Sequence, residues 1–220
     1  MLQQKSSMPD VFGTSLQLLR EYVTSRGVGA TSRQLLSMCV YSRRSYVLVC
    51  KATDVDVPHI SARIPGTIRL AVADDVERLR VFAHRYTGAQ FRRWIEQRRG
   101  LYVFEHQGRL IAYRLVSRDV PRLSVARKII RLEPTDTWVV SSYTLPDFRG
   151  ARIGAALACH SLAENRVAGF KREISLIRAD NEAARKMVGL AGGREVEEVT
   201  CTRLLGFKRY RRRVLQPCRH

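Results

Sequence analysis

Between Thr137 and Leu157 the sequence changes period, and that change limits the folds open to the chain. Trp138, Val139 and Val140 are aromatic or β-branched, which favours an extended segment running on to Thr144. Pro146 and Asp147 then break it. From Ile153 the residues Ile153, Ala156, Leu157 and His160 recur at helical spacing. A strand, a short loop and a helix in that order place the backbone N–H groups from Arg149 to Ala155 at or just before a helix N-terminus. Such groups have no partner inside the helix, and the dipole end they occupy is positive. A joint of this kind binds phosphate, although the same residues also suit an ordinary strand–loop–helix connection. Gly150 and Gly154 carry no Cβ and let backbone come close to a ligand.

The flanking segments follow an alternating plan. Upstream, Thr67–Ala71 reads as a strand. Ala73–Arg80 begins a helix with acids in its first turn, and Ala89–Arg99 gives a second helix with Phe91, Trp94 and Ile95 on one face. Leu101–Phe104 and Leu110–Val116 read as strands joined by a tight turn at Gln107-Gly108. Downstream, Ile174–Ile177 alternates as a strand, Asp180-Asn181 supplies a helix cap, and Ala183, Ala184, Lys186 and Met187 form a short helix closed by Gly192-Gly193. The stretch from Arg194 to Phe207 has room for two strands.

With these residues in view, Arg149-Gly-Ala-Arg-Ile-Gly154 resembles the pyrophosphate-binding motif of the GNAT superfamily of acyl-CoA N-acyltransferases, Gln/Arg-x-x-Gly-x-Gly/Ala. Arg149 matches its first place and Gly154 its last, while Arg152 stands where the family usually has glycine. That place still offers its N–H, provided that Arg152 adopts a helix-entry conformation. The order of elements over residues 67–207 is also similar to that of the family. The resemblance implies an α/β (α+β) fold, with a mixed, mostly antiparallel sheet of six to seven strands flanked by about four helices. It implies acetyl-CoA or another acyl-CoA as co-substrate, and direct attack of an amine on the thioester. Carried over residue by residue, it assigns cofactor contacts to Tyr143, Thr144, Leu145, Arg149, Gly150, Ala151, Arg152, Ile153, Gly154, Ala155, Asn181 and Ala184. Backbone N–H groups near Tyr143 and Thr144 would polarise the carbonyl. Many family members carry a tyrosine that protonates the departing thiolate. The corresponding place here is Val188, which has no proton to give.

The amine must be neutral to attack, which calls for a base or a water chain. Glu105, at a strand end on the hairpin, is the leading candidate, with a solvent-exposed turn acid as the alternative reading. His106 beside it reads as a turn residue. Tyr143 and Ser142 are candidates for proton relay, whereas His84 and His160 read as satisfied polar residues on helices. No cluster of His, Cys, Asp and Glu has metal-ligand spacing, so no metal is expected.

The chain divides into a basic N-terminal extension over residues 1–60, with helices and a strand at Tyr46–Cys50, a linker over 61–66, an acyltransferase domain over 67–207 and a basic tail over 208–220. No apolar run approaches the roughly 20 residues that span a bilayer, and the first residues lack a signal-peptide core, so a cytoplasmic protein is expected, with attachment to a membrane surface through the extension as an alternative. The five cysteines read as reduced thiols. Charge is the unusual quantity: 39 Lys and Arg oppose 20 acids, for a net charge of +19. CoA needs few cations, so the surplus points to nucleic acid, anionic lipid or acidic glycan, or to solvated arginines with no partner. The run Lys208–Arg213 is the leading patch. Two functions remain in view: an N-acetyltransferase whose acceptor is a sugar amine, small molecule, peptide or protein, and a basic module binding nucleic acid or membrane on a catalytically weak scaffold of the same fold. The extension also allows pairing into a homodimer.

Overall fold

The computed structural model describes residues 41–53, 57–82, 86–97, 99–118, 129–205 and 207–216. The helices expected within residues 1–40, and His84, lie outside them. Eight strands and four α-helices are found there. In chain order they are β1 (Tyr41–Ala52), β2 (Thr67–Leu70), α1 (Asp75–Arg80), α2 (Gly88–Glu96), β3 (Gly100–His106), β4 (Arg109–Ser117), β5 (Asp136–Thr144), α3 (Ile153–Val167), β6 (Arg172–Arg178), α4 (Glu182–Leu190), β7 (Arg194–Leu204) and β8 (Phe207–Val214). By contacts the chain forms two units, residues 1–44 with 201–210, and residues 45–200 with 211–220. Of the first, the described residues are the ends of β1, β7 and β8. All eight strands contribute to the second, in one sheet of order β2-β3-β4-β5-β6-β1-β7-β8.

Local chemistry accounts for most of these elements. Thr87 starts α2 with a reciprocal capping box, its hydroxyl accepting from the Gln90 amide while the Gln90 side chain accepts from the Thr87 amide. Gln107 and Gly108 both sit at positive φ, 47° and 73°, as a two-residue turn joining right-twisted strands requires. Along β3 the side chains alternate. Leu101 and Val103 join the cluster of Leu79, Phe82 and Phe91 beneath α1 and α2, while Tyr102 and Phe104 join Ile153 and Leu157 of α3. Helices thus cover both faces of the sheet, and for that reason β4 is buried from Leu110 to Ser117 without a polar face.

The sheet has one strand more than the six to seven expected. β1, read from the sequence as part of the extension, lies between β6 and β7 and pairs antiparallel with β6 from Tyr46↔Arg178 to Ala52↔Arg172. It carries Lys51 into the interior. There Lys51 Nζ lies 3.3 Å from Glu173 Oε1, and Arg114 of β4 bonds the same carboxylate while its Nε donates to Ser161 Oγ at 2.9 Å. All three charged groups are fully buried. Burial lowers the Lys51 ammonium to a pKa of about 8. Burial pushes Glu173 upward, but Arg114 and Lys51 more than offset this and hold it below the ordinary carboxylate range.

Candidate functional site

The site begins where β5 leaves β6. The two strands pair in parallel only from Asp136↔Arg172 to Trp138↔Ile174. Both continue beyond that point, β5 to Thr144 and β6 to Arg178. On the other side of β5, Val116 faces Val139 and Leu115 faces Ser141, so Val140 is an extra residue with no partner in β4. A bulge bends its strand and increases the local twist. The bend falls directly after the last pair with β6, and a wedge opens there between the two strands.

β5 delivers the chain to the open end of that wedge. Pro146–Phe148 makes one 3₁₀ turn, and Gly150 follows at φ 83° with nothing within 4 Å of where a Cβ would lie. Arg152 enters α3 in the left-handed conformation, φ 58° and ψ 12°. It therefore reaches the geometry for which the usual glycine is suited. The first bond of the helix runs from Ala156 N to Arg152 O at 3.0 Å. Among the described residues, none of the amides from Gly150 to Ala155 has an acceptor within the chain. These amides stand at the positive end of a 15-residue helix. Arg149 is exposed and folds back, its Nε 3.4 Å from Thr144 O and its guanidinium 5.7 Å from the centre of the Tyr143 ring.

On the side where a Cβ would lie, Gly154 faces α4. A Cβ there would meet Met187 Cγ at 3.3 Å. Its missing side chain faces α4 and permits close packing of two helices. Ile153 and Ala155 are buried, and Ala151 is half-buried, so these three offer backbone rather than side chain.

The remaining predicted residues separate into two groups. Tyr143 lies near the loop, half-buried, and stacks on Phe82 and Tyr113 with ring centres 6.1 and 6.4 Å apart. Thr144 pairs with Ala112, and the Leu145 amide donates to Ile111 O, which fixes the strand end. The hydroxyl that joins the aromatic cluster belongs to Ser141, 3.0 Å from Tyr113 Oη, and Ser142 is exposed. Neither Ser141 nor Tyr113 stood out in the sequence, because only the register brings them together. Asn181 caps α4, its Oδ1 accepting from Ala184 N at 3.1 Å. Ala184 packs its side chain against Val47, Val49, Ile177 and Val188, and its amide is taken by that cap. Val188 is buried in the same cluster.

Glu105 stands in a different environment from that of a general base. Its carboxylate accepts from Arg78 Nη2 at 2.9 Å and from Arg69 Nη2 at 2.8 Å. Arg78 and then Arg69 hold the carboxyl below its ordinary range, which makes it a poor proton acceptor near neutral pH. The same two guanidiniums bind Asp75, which is buried and caps Val72 N at 2.9 Å. His106 contacts Pro65 O, and His160 packs its ring edge-on to Tyr102. No metal-binding group of His, Cys, Asp and Glu occurs among the described residues. Cys159 and Cys201 are free thiols, whereas Cys50 is disulfide-bonded, so the expectation of five reduced thiols does not hold for it. No helix among the described residues is long and apolar enough to cross a membrane.

A cavity of about 510 Å³ opens beside Tyr143 on the face of α1, lined by Arg78, Phe82, Arg109, Leu110, Tyr143 and Leu145 among others. Pockets of this size hold small ligands.

A mixed eight-stranded sheet split between β5 and β6, with unpaired amides opening a helix at the split, is a GNAT-like α+β fold. The chain belongs to the acetyltransferase (GNAT) family, whose profile matches residues 69–191. No curated relative matches it. Among solved structures it is similar to a GNAT-family protein from Novosphingobium aromaticivorans, with 19% identity and a TM-score of 0.54 over 73% of this chain and 63% of that one. A GCN5-related N-acetyltransferase from Sphaerobacter thermophilus gives 14% identity and a TM-score of 0.56 over 86% and 57%. A GNAT-family acetyltransferase from Colwellia psychrerythraea gives 14% and 0.52 over 87% and 73%. The chain thus spans less than two thirds of the length of the first two, and at these identities the likeness is one of fold.

Proposed function

We propose that the protein transfers an acyl group, acetyl in the simplest case, from an acyl-CoA to an amine. The observation that carries this reading is the run of unpaired amides from Gly150 to Ala155 at the head of α3. Amides aimed outward at a positive helix end suit a diphosphate. From there the open wedge between β5 and β6 leads past Tyr143, Thr144 and Leu145, which gives the pantetheine arm a path through the sheet. The amine nitrogen attacks the thioester carbon, a C–N bond forms, the C–S bond breaks, and the ammonium proton passes to water. With Glu105 held by two arginines, water takes the place of a side-chain base. With Val188 buried, the departing thiolate takes its proton from solvent, which a thiol of pKa about 8.5 does readily near neutral pH.

Calorimetric titration with acetyl-CoA tests this. Gly150→Asp places a carboxylate where the diphosphate would lie, in space that no other group occupies. Micromolar binding by the wild-type protein that Gly150→Asp abolishes, with the melting temperature lowered by no more than about 4 °C, supports the reading, and absence of binding by the wild type refutes it. A second reading, a basic surface for an anionic polymer, is favoured by the exposure of Arg211 and Arg213 on β8. Binding of a nucleic acid whose affinity falls steeply with salt, without binding of acetyl-CoA, would select it.

A further inference from the structure

We infer that the acceptor is an amine that also carries an anionic group, a carboxylate or a phosphate, and that Arg109 recognises this group. The inference rests on the acyl-transfer reading above and names the acceptor class for the same site.

The charge balance around the cavity carries it. Two carboxylates lie near, Asp75 and Glu105, and two guanidiniums, Arg69 and Arg78, bridge both of them. Arg78 is committed further, donating to Gly108 O at 2.6 Å. This four-membered cluster is neutral, with each carboxylate held in its charged form. Arg109, one residue beyond that glycine, lines the cavity as a surplus cation. It is exposed, and among the described residues no carboxylate pairs with it. No acidic side chain among the described residues lines the cavity. A polycationic acceptor would therefore enter a site with a net positive wall and no counter-charge. An anionic group would find a guanidinium whose fork geometry suits carboxylate and phosphate alike. The rest of the wall, Phe82, Leu110, Tyr143 and Leu145, offers apolar and aromatic surface. It suits an acceptor with an apolar body between its amine and its anionic end.

The test holds that body constant and varies the charge at its far end: 2-phenylethylamine, 4-(2-aminoethyl)benzoate, which adds a carboxylate, and O-phosphotyramine, which adds a phosphate, with spermidine alongside as a polycation. With acetyl-CoA and the full chain, at least one of the two anionic amines should exceed phenylethylamine by about 10-fold or more in kcat/KM, as a charge-assisted pair implies. Which one does so tells carboxylate from phosphate. In Arg109→Ala the ratio of that amine to phenylethylamine should collapse to within about 3-fold, and Arg109→Lys should restore part of it. The same ranking is read as Kd by calorimetry without thioester, so failure to bind acetyl-CoA overturns the acyl-transfer reading alone. Preference for spermidine or phenylethylamine, no binding of either anionic amine, or a preference that survives Arg109→Ala overturns the inference.

Discussion

Replacing Arg152 by glycine separates what the loop backbone does from what the side chain does. Arg152 enters α3 at φ 58° and ψ 12°. For a residue with a Cβ that conformation costs roughly 1–2 kcal/mol. Glycine removes the cost but is freer in the unfolded chain, which takes back roughly 0.5–1 kcal/mol. The net is a stabilisation of about 0.5–1 kcal/mol, or a rise of about 1–4 °C in melting temperature for a chain of this size. The guanidinium is exposed, so it adds at most about 1 kcal/mol to the binding of a diphosphate. Acetyl-CoA affinity should then weaken by no more than about 5-fold. Gly150→Ala is the converse, because its φ is 83° and an added Cβ meets nothing. Its cost is conformational alone, about 1 kcal/mol. Scanning calorimetry reads the stabilities and titration calorimetry the affinities. A lower melting temperature for Arg152→Gly would refute the left-handed helix entry. A loss of affinity beyond about 30-fold would refute the claim that amides, rather than the guanidinium, hold the diphosphate.

Glu173→Leu leaves Arg114 and Lys51 buried without a counter-charge and should cost about 3–5 kcal/mol, whereas Lys51→Met removes a cation that burial already disfavours and should cost less than about 2 kcal/mol, both by denaturant titration. Asp75 and Glu105 have folded pKa values below their unfolded ones. Their stabilisation is therefore present above the unfolded values of about 4 and is lost as pH falls through the folded ones. The melting temperature should decline below about pH 4, and less steeply in Glu105→Gln. That variant should also keep kcat within about 3-fold of wild type, since a carboxylate held by two arginines is not the base; a loss of 100-fold or more would reinstate it. Gly193→Ala puts a Cβ 2.4 Å from Val188 Cγ1 and 2.9 Å from Val188 O, and should cost about 1–3 kcal/mol by denaturant titration. Gly154→Ala meets only the flexible Met187 at 3.3 Å and should stay within about 1 kcal/mol of wild type.

The parts of the site governed by local chemistry were legible in the chain. The change of period from Trp138 to Ile153 marked the strand, the loop and the helix that the structure contains, and Asn181 was readable as the cap it is. What depends on register was hidden. Val140 carries no signal of a bulge, because the extra residue is defined only by what β4 places opposite it. The entry of β1 between β6 and β7 rests on pairing between residues far apart in the chain, 122 positions for Lys51 and Glu173. Glu105 resembled a free acid at a strand end. Its opposition to Thr67 across the β2–β3 ladder puts it two residues from Arg69, and the turn of α1 brings Arg78 to it. The packing of the bare face of Gly154 on Met187 of α4 was hidden as well, because the sequence does not specify how the two helices meet.

The central claim is that free backbone amides at the head of α3 grip the diphosphate of an acyl-CoA. An amide-resolved NMR titration with acetyl-CoA reads those groups one by one. The account predicts that the Gly150 to Ala155 signals shift together and saturate at one dissociation constant, and that exchange of these amide protons with solvent slows in the complex. If acetyl-CoA saturates the protein while those six signals stay in place, the claim is contradicted.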